Sequence, residues 1–171
     1  MLETPRLFLV PSNAAMLEAT VAEDWPALSA LLGGVTFAEH WLHFPDAMLW
    51  LRDYLREFEA DAEWWNYFII RKSDQMLIGT CGFKGPPAVL PEVEIGYEIA
   101  DDCQNQGYGT EAAGALTQLA LAHEAVESVL AHTLAEENAS VAVLRKLGFV
   151  FEGELEDIEE GKVWLWRRTG A

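Results

Sequence analysis

The sequence predicts a single α/β domain, and three observations carry that prediction. About half of the 171 residues are apolar, 51%, enough to bury one sizeable core. Segments with strand-like alternation take turns along the chain with segments of helical spacing. The clearest strand, Val93-Glu94-Ile95-Gly96-Tyr97-Glu98-Ile99, passes through a glycine-bearing loop directly into a helical pattern. No repeat, low-complexity tract or interdomain linker interrupts this, so residues 1–171 read as one domain.

From the start, Arg6-Leu7-Phe8-Leu9-Val10 reads as a short strand closed by Pro11, whose ring removes a ladder donor. Ser12 or Asn13 can cap a helix, and Leu17, Val21, Leu28, Leu31 and Leu32 recur at helical spacing up to Gly33-Gly34, with Pro26 able to start a second helix. Met48, Leu51 and Leu55 predict another amphipathic helix after Pro45-Asp46. Strands Tyr67 to Arg71 and Leu77 to Phe83, joined by Lys72-Ser73-Asp74-Gln75, form a hairpin. Beyond the central strand come a helix from Thr110 to His123 with Ala112, Ala113, Leu116, Leu119 and Ala120 on one face, a strand Val129 to Leu134, a short helix Ser140 to Lys146, and strands Phe149 to Gly153 and Val163 to Arg167.

Composition narrows the functional classes. The formal net charge of −17 repels phosphate backbones and anionic lipid at long range, which points away from nucleic acid and membrane surfaces and makes cationic or neutral amines easier partners. Charged residues break every apolar stretch well before the roughly 18 residues that cross a bilayer. Cys81 and Cys103 have no metal-ligand spacing and no signal-peptide pattern precedes them, so neither a metal site nor a disulfide framework is expected, and a cytoplasmic setting fits best.

The loop between Ile99 and Thr110 carries the strongest chemical signal. A chain that passes from strand to glycine loop to helix start presents unpaired N–H groups and the positive end of a helix dipole, which is an anion site. In so acidic a protein a polyphosphate must be held by such local donors rather than by the overall field. Gly107 and Gly109 permit close approach. A nucleotide P-loop does not fit, because no Gly-Lys-Ser/Thr follows; nor does the loop open a βαβ unit as a dinucleotide site would.

In this setting Gln104-Asn105-Gln106-Gly107-Tyr108-Gly109, between Glu94-Ile95-Gly96-Tyr97-Glu98-Ile99-Ala100 and Thr110-Glu111-Ala112-Ala113, resembles the coenzyme A signature of GNAT N-acyltransferases. Glu137-Asn138-Ala139-Ser140 leading to Val143-Leu144-Arg145-Lys146-Leu147-Gly148-Phe149 resembles the second signature of that superfamily. The opening Glu3-Thr4-Pro5-Arg6-Leu7-Phe8-Leu9 is similar to that of the branch containing ribosomal-protein alanine N-acetyltransferases. The resemblance spans essentially the whole chain and is loosest from Phe37 to Trp65.

The resemblance implies a mixed, mostly antiparallel sheet of about six to seven strands, flanked by helices and splayed at its centre. It implies acetyl-coenzyme A as cosubstrate, direct transfer in a ternary complex to a small-molecule or peptide amine, and a homodimer as an option. Ile99 and Ala100 map beside the acyl-pantetheine arm, where a main-chain N–H can stabilise an oxyanion. Gln104, Asn105, Gln106, Gly107, Tyr108, Gly109 and Thr110 map to the pyrophosphate, and Asn138 to the pantetheine end. His40, Trp41, Trp64 and Tyr97 are candidates for the acceptor pocket, where aromatic faces can hold a cation.

Acyl transfer to an amine needs a proton acceptor for the nitrogen and a proton for the departing thiolate. Strict alternation puts Glu92, Glu94 and Glu98 on one face of the central strand. Glu94 is the first choice for general base, with Glu92 and Glu98 as alternatives. The position at which many members of the superfamily carry an acid tyrosine is Leu144 here, so Ser140 or water is left to attend the sulfur. His132, on the strand after the helix, can also face the cleft. Without that tyrosine, a non-catalytic acyl-coenzyme A sensor is the second reading.

Overall fold

A computed structural model describes residues 1–87, 90–158 and 161–170. In chain order the elements are β1 (Leu2–Glu3), β2 (Leu7–Pro11), α1 (Ala14–Val21), α2 (Trp25–Leu31), β3 (Thr36–Phe37), α3 (Pro45–Glu57), β4 (Asn66–Arg71), β5 (Met76–Phe83), β6 (Glu92–Ile99), α4 (Tyr108–Leu121), β7 (Ser128–Leu134), α5 (Ala139–Lys146), β8 (Val150–Asp157) and β9 (Gly161–Thr169). Short 3-10 turns at Glu59–Trp64 and Asp101–Cys103 precede β4 and follow β6.

The described strands form one sheet in the order β1-β2-β4-β5-β6-β7-β9-β8, with β3 pairing on β5. Pairing is antiparallel except for β6 with β7 and β3 with β5. That makes nine described strands against the six or seven expected, and the surplus includes the two-residue pieces β1 and β3, too short to leave a periodic trace. The stretch from Ala14 to Leu32 is two helices: Glu23 turns back with φ 53°, Asp24 caps the amide of Ala27, and Pro26 occupies the first turn of α2. Asn13 caps α1 through the amide of Met16.

The core lies between the sheet and the helices. Val93, Ile95 and Ile99 are buried, and a β-carbon placed on Gly109 of α4 would stand 3.8 Å from the rings and branches of Tyr97 and Ile99, so this face of β6 is covered by α4. The opposite face carries Glu92, Glu94 and Glu98, and the segment ahead of α3 crosses over it, where the amide of His43 donates to Glu98. β4 and β5 lie close enough that a β-carbon on Gly82 would be 1.9 Å from the carbonyl oxygen of Trp65. Burial drives the thiol of Cys81 upward in pKa and keeps it protonated. Among the described residues no helix is long and apolar enough to cross a membrane.

Candidate active site

The site begins where the sheet opens. β6 pairs with β5 from Ile95 to Ile99, but with β7 only at Glu92↔Ser128, Val93↔Val129 and Glu94↔Leu130. Beyond Glu94 and Leu130 the two parallel strands separate, and the main-chain groups of Ile95 to Ile99 that look toward β7 have no strand partner among the described residues. Ile99 and Ala100 stand at the wide end of this gap, with the amide of Ala100 held by the carbonyl of Ile78 at 2.8 Å.

The head of the gap is the loop into α4. Asn105 and Gly107 both take positive φ, 58° and 83°, which turns the chain sharply at two points of the loop. Gly107 caps α4 with no side-chain bond, and among the described residues no acceptor meets the N–H groups of Asn105, Gln106, Gly107, Tyr108, Gly109 or Thr110. Gln104 ties the loop to the strand by donating to the carbonyl of Ile99 at 3.0 Å and to Asp101 at 3.1 Å; Gln106 donates to the carbonyl of Asp102 at 3.0 Å. A row of free amides at the N-terminus of a fourteen-residue helix fits a pyrophosphate, and a β-carbon at Gly107 would stand 3.3 Å from Nη2 of Arg6.

Arg6 reinforces that loop. Its Nη1 donates to the carbonyl of Gln106 at 2.9 Å, its Nε donates to Glu111 at 2.7 Å, and its guanidinium lies 4.5 Å from the ring centroid of Tyr108. Burial raises the pKa of Glu111, but the hydroxyl of Thr4 and the amide and guanidinium of Arg6 outweigh it and hold the carboxyl below its ordinary range. Arg71 lies over the same Tyr108 ring at 5.9 Å. Neither arginine carries a spacing signal, since Arg6 reaches the loop from the bend before β2 and Arg71 from the end of β4.

The three glutamates on the open face separate by partner. Glu92 takes Arg167 at 2.7 Å; Glu98 takes the hydroxyl of Thr80 at 2.9 Å, the amide of His43 at 2.8 Å and its Nδ1 at 3.1 Å. Glu94, the last β6 residue paired to β7, shares its Oε1 between Lys84 and the Nδ1 of His132, the latter at 2.9 Å. The Glu94–His132 bond therefore spans the apex of the gap. Lys84 and His43 complete this face, Lys84 without any motif to announce it.

On the helix-covered face, Tyr97 reaches from β6 across to α5 and donates to the carbonyl of Ser140 at 3.4 Å. Burial pushes its phenol up to about 12, with a small opposing effect of Ser140, so it is a neutral donor at physiological pH. Asn138 caps α5 by accepting from the amide of Val141 at 3.0 Å, and Leu144 is fully buried. Ser140 thus stands beside the gap at the start of α5.

The aromatic candidates divide. His40 and Trp41 line a cavity of about 410 Å³ with Trp25, Glu23, Asp46 and Met48, between the α1–α2 turn and the start of α3. Trp64 lies apart from it, packed 5.2 Å from Phe83 and edge-on to His123 at 5.1 Å. Tyr97 belongs to the gap rather than to that cavity.

A splayed parallel pair headed by an amide-lined helix start defines the class of protein. The family model described as an acetyltransferase (GNAT) domain matches residues 15–150, and the chain belongs to that family. It is 28% identical to the uncharacterized N-acetyltransferase YjdG of Bacillus subtilis (strain 168) over 168 residues, 97% of each protein. Among solved structures it resembles the ribosomal-protein-S5-alanine acetyltransferase of Vibrio fischeri at 16% identity, with a TM-score of 0.71 over 98% of this chain and 95% of that one. It also resembles RimL, a ribosomal L7/L12 α-N-protein acetyltransferase in complex with coenzyme A, at 17% identity, with a TM-score of 0.67 over 97% and 95%. At these identities the structures share the fold.

Proposed function

We propose that this protein transfers an acetyl group from acetyl-coenzyme A to a primary amine, a peptide N-terminus or a small molecule, by direct attack in a ternary complex. The observation that carries the reading is the gap between β6 and β7, with free amides at its head and a proton-accepting pair at its apex. The amides of residues 105–110 hold the pyrophosphate, aided by Arg6 and the dipole of α4. Gln104 fixes the loop to Ile99, while Asn138 and Ser140 border the pantetheine end. Acetyl-coenzyme A supplies the activated thioester.

The residues of the chain do the rest. An unpartnered N–H along Ile95–Ile99 polarises the carbonyl that is attacked. The Glu94–His132 pair receives the proton of the acceptor amine. Tyr97, neutral and directed across the gap, offers a proton to the leaving sulfur in the place where Leu144 has none to give. The acceptor's cationic or apolar part has the cavity walled by Trp25, Trp41 and His40, with Glu23 and Asp46 supplying negative charge. A donor and an acceptor of protons flanking one gap favour turnover over a purely binding role.

The test is thiol release from acetyl-coenzyme A with a panel of peptides bearing free N-termini and simple diamines. Acceptor-dependent release with mass-verified N-acetylation is the expected result. Tight coenzyme A binding without release on any acceptor would instead support a sensor.

A further inference from the structure

The acceptor's proton must go to a particular atom at the apex, and we infer that it is the Nε2 of His132, with Glu94 as the residue that positions the imidazole. This rests on the transfer reading above. β7 leaves its ladder with β6 after Leu130, and His132 is the next residue on the same face, so its ring stands on the β7 wall where the gap begins. Its side chain is 28% exposed, within reach of solvent and of a bound amine.

The hydrogen bonds assign the roles. Nδ1 lies 2.9 Å from Oε1 of Glu94; a carboxylate only accepts, so Nδ1 carries the hydrogen and Nε2 keeps the lone pair. Among the described residues Nε2 makes no hydrogen bond. Oε1 of Glu94 serves both Lys84 and His132, so two N–H donors fix the carboxylate as the partner of the imidazole. The neighbouring charges are committed elsewhere: Glu92 and Glu152 both hold Arg167, and Glu98 holds Thr80 and His43. Imidazoles as a class titrate near neutrality, where carboxylates are already ionised and accept protons weakly.

The acceptor nitrogen forms its bond to the acetyl carbon as its proton passes to Nε2; the carbon–sulfur bond breaks, and the sulfur takes a proton from the Tyr97 phenol or from water. Glu94 stabilises the imidazolium so formed and stays ionised.

Two measurements decide the matter. The first is the ¹⁵N spectrum of the His132 ring in the protein without cosubstrate, which is expected to show hydrogen on Nδ1 and a bare Nε2 above neutral pH; the opposite tautomer would overturn the inference. The second is the pH profile of thiol release with two acceptors of different basicity, so that a limb belonging to the enzyme stays put. His132→Gln should lower kcat roughly 100-fold near pH 7 and remove the enzyme's limb. Glu94→Gln should retain that limb and lower kcat less than His132→Gln does, because Nε2 stays free to accept while the ring loses the carboxylate that orients it. If Glu94→Gln erases the limb while His132→Gln keeps it, Glu94 is itself the base. Absence of thiol release from the unmodified protein with every acceptor would sink the transfer reading and this role with it, a result distinguishable because the ring tautomer is read without turnover.

Discussion

Leu144 is fully buried where the resemblance implies a tyrosine, and in the proposed reaction that place is taken by Tyr97 of β6, whose hydroxyl donates to the carbonyl of Ser140 at 3.4 Å. Removing that hydroxyl should slow turnover without loosening the cofactor. Tyr97→Phe is expected to reduce kcat by about 100-fold while coenzyme A affinity stays within about twofold, as read by steady-state kinetics and calorimetry. Equal kcat would assign the sulfur's proton to Ser140 or water. Glu111 makes a different kind of contribution, since its carboxylate joins Thr4 and Arg6 to the start of α4. Glu111→Gln should cost about 1–2 kcal/mol at neutral pH in denaturant melts. Because the folded state depresses this carboxyl, its contribution is present above the unfolded carboxylate's pKa and is lost as pH falls through the lower folded one; the two melting curves should converge in acid. The glycines and the glutamates of β6 were legible from the sequence because they sit in a local pattern. Arg6 and Lys84 were not, because each arrives from another part of the fold and only tertiary geometry brings it to the site.

The strand and helix pattern was readable wherever one face is buried and the other is not. β6 alternates almost strictly, and α4 begins two residues before the first predicted position, Thr110, because Gly107 rather than Gly109 is the residue that precedes the first helical turn. The run from Ala14 to Leu32 breaks at the Glu23 turn, where α1 and α2 each put leucines inward, and Pro26 opens the second helix as its position allowed. Most legible of all was the β4–β5 hairpin, yet its most constrained residue is silent in the pattern. Gly82 faces the carbonyl of Trp65, and a methyl group there would need the two strands to part. Gly82→Ala is therefore expected to destabilise the protein by more than about 3 kcal/mol in chemical denaturation, or to prevent folding. A melt indistinguishable from the parent would show that β5 can move away from β4 at little cost.

With 28 acidic against 11 basic side chains, the chain folds against its own charge and holds an anionic cosubstrate against its own field. Moderate salt screens the self-repulsion, so raising sodium chloride from 10 to 200 mM should raise Tm by roughly 2–6 °C in calorimetric scans; a falling Tm would mean that the surface ion pairs outweigh the net charge. The local amides of the α4 loop, by contrast, owe little to the overall field. The central claim is that residues 105–110, heading the gap between β6 and β7, are where coenzyme A is held. Isothermal titration of coenzyme A into the unmodified protein and into Gly107→Glu tests it most directly, since the substitution adds a side chain and a negative charge at a position with φ 83° that faces Arg6. Saturable binding to the unmodified protein, lost in the Gly107→Glu variant while that variant keeps its fold by circular dichroism, is the predicted result. Equal affinity in the two proteins would contradict the claim.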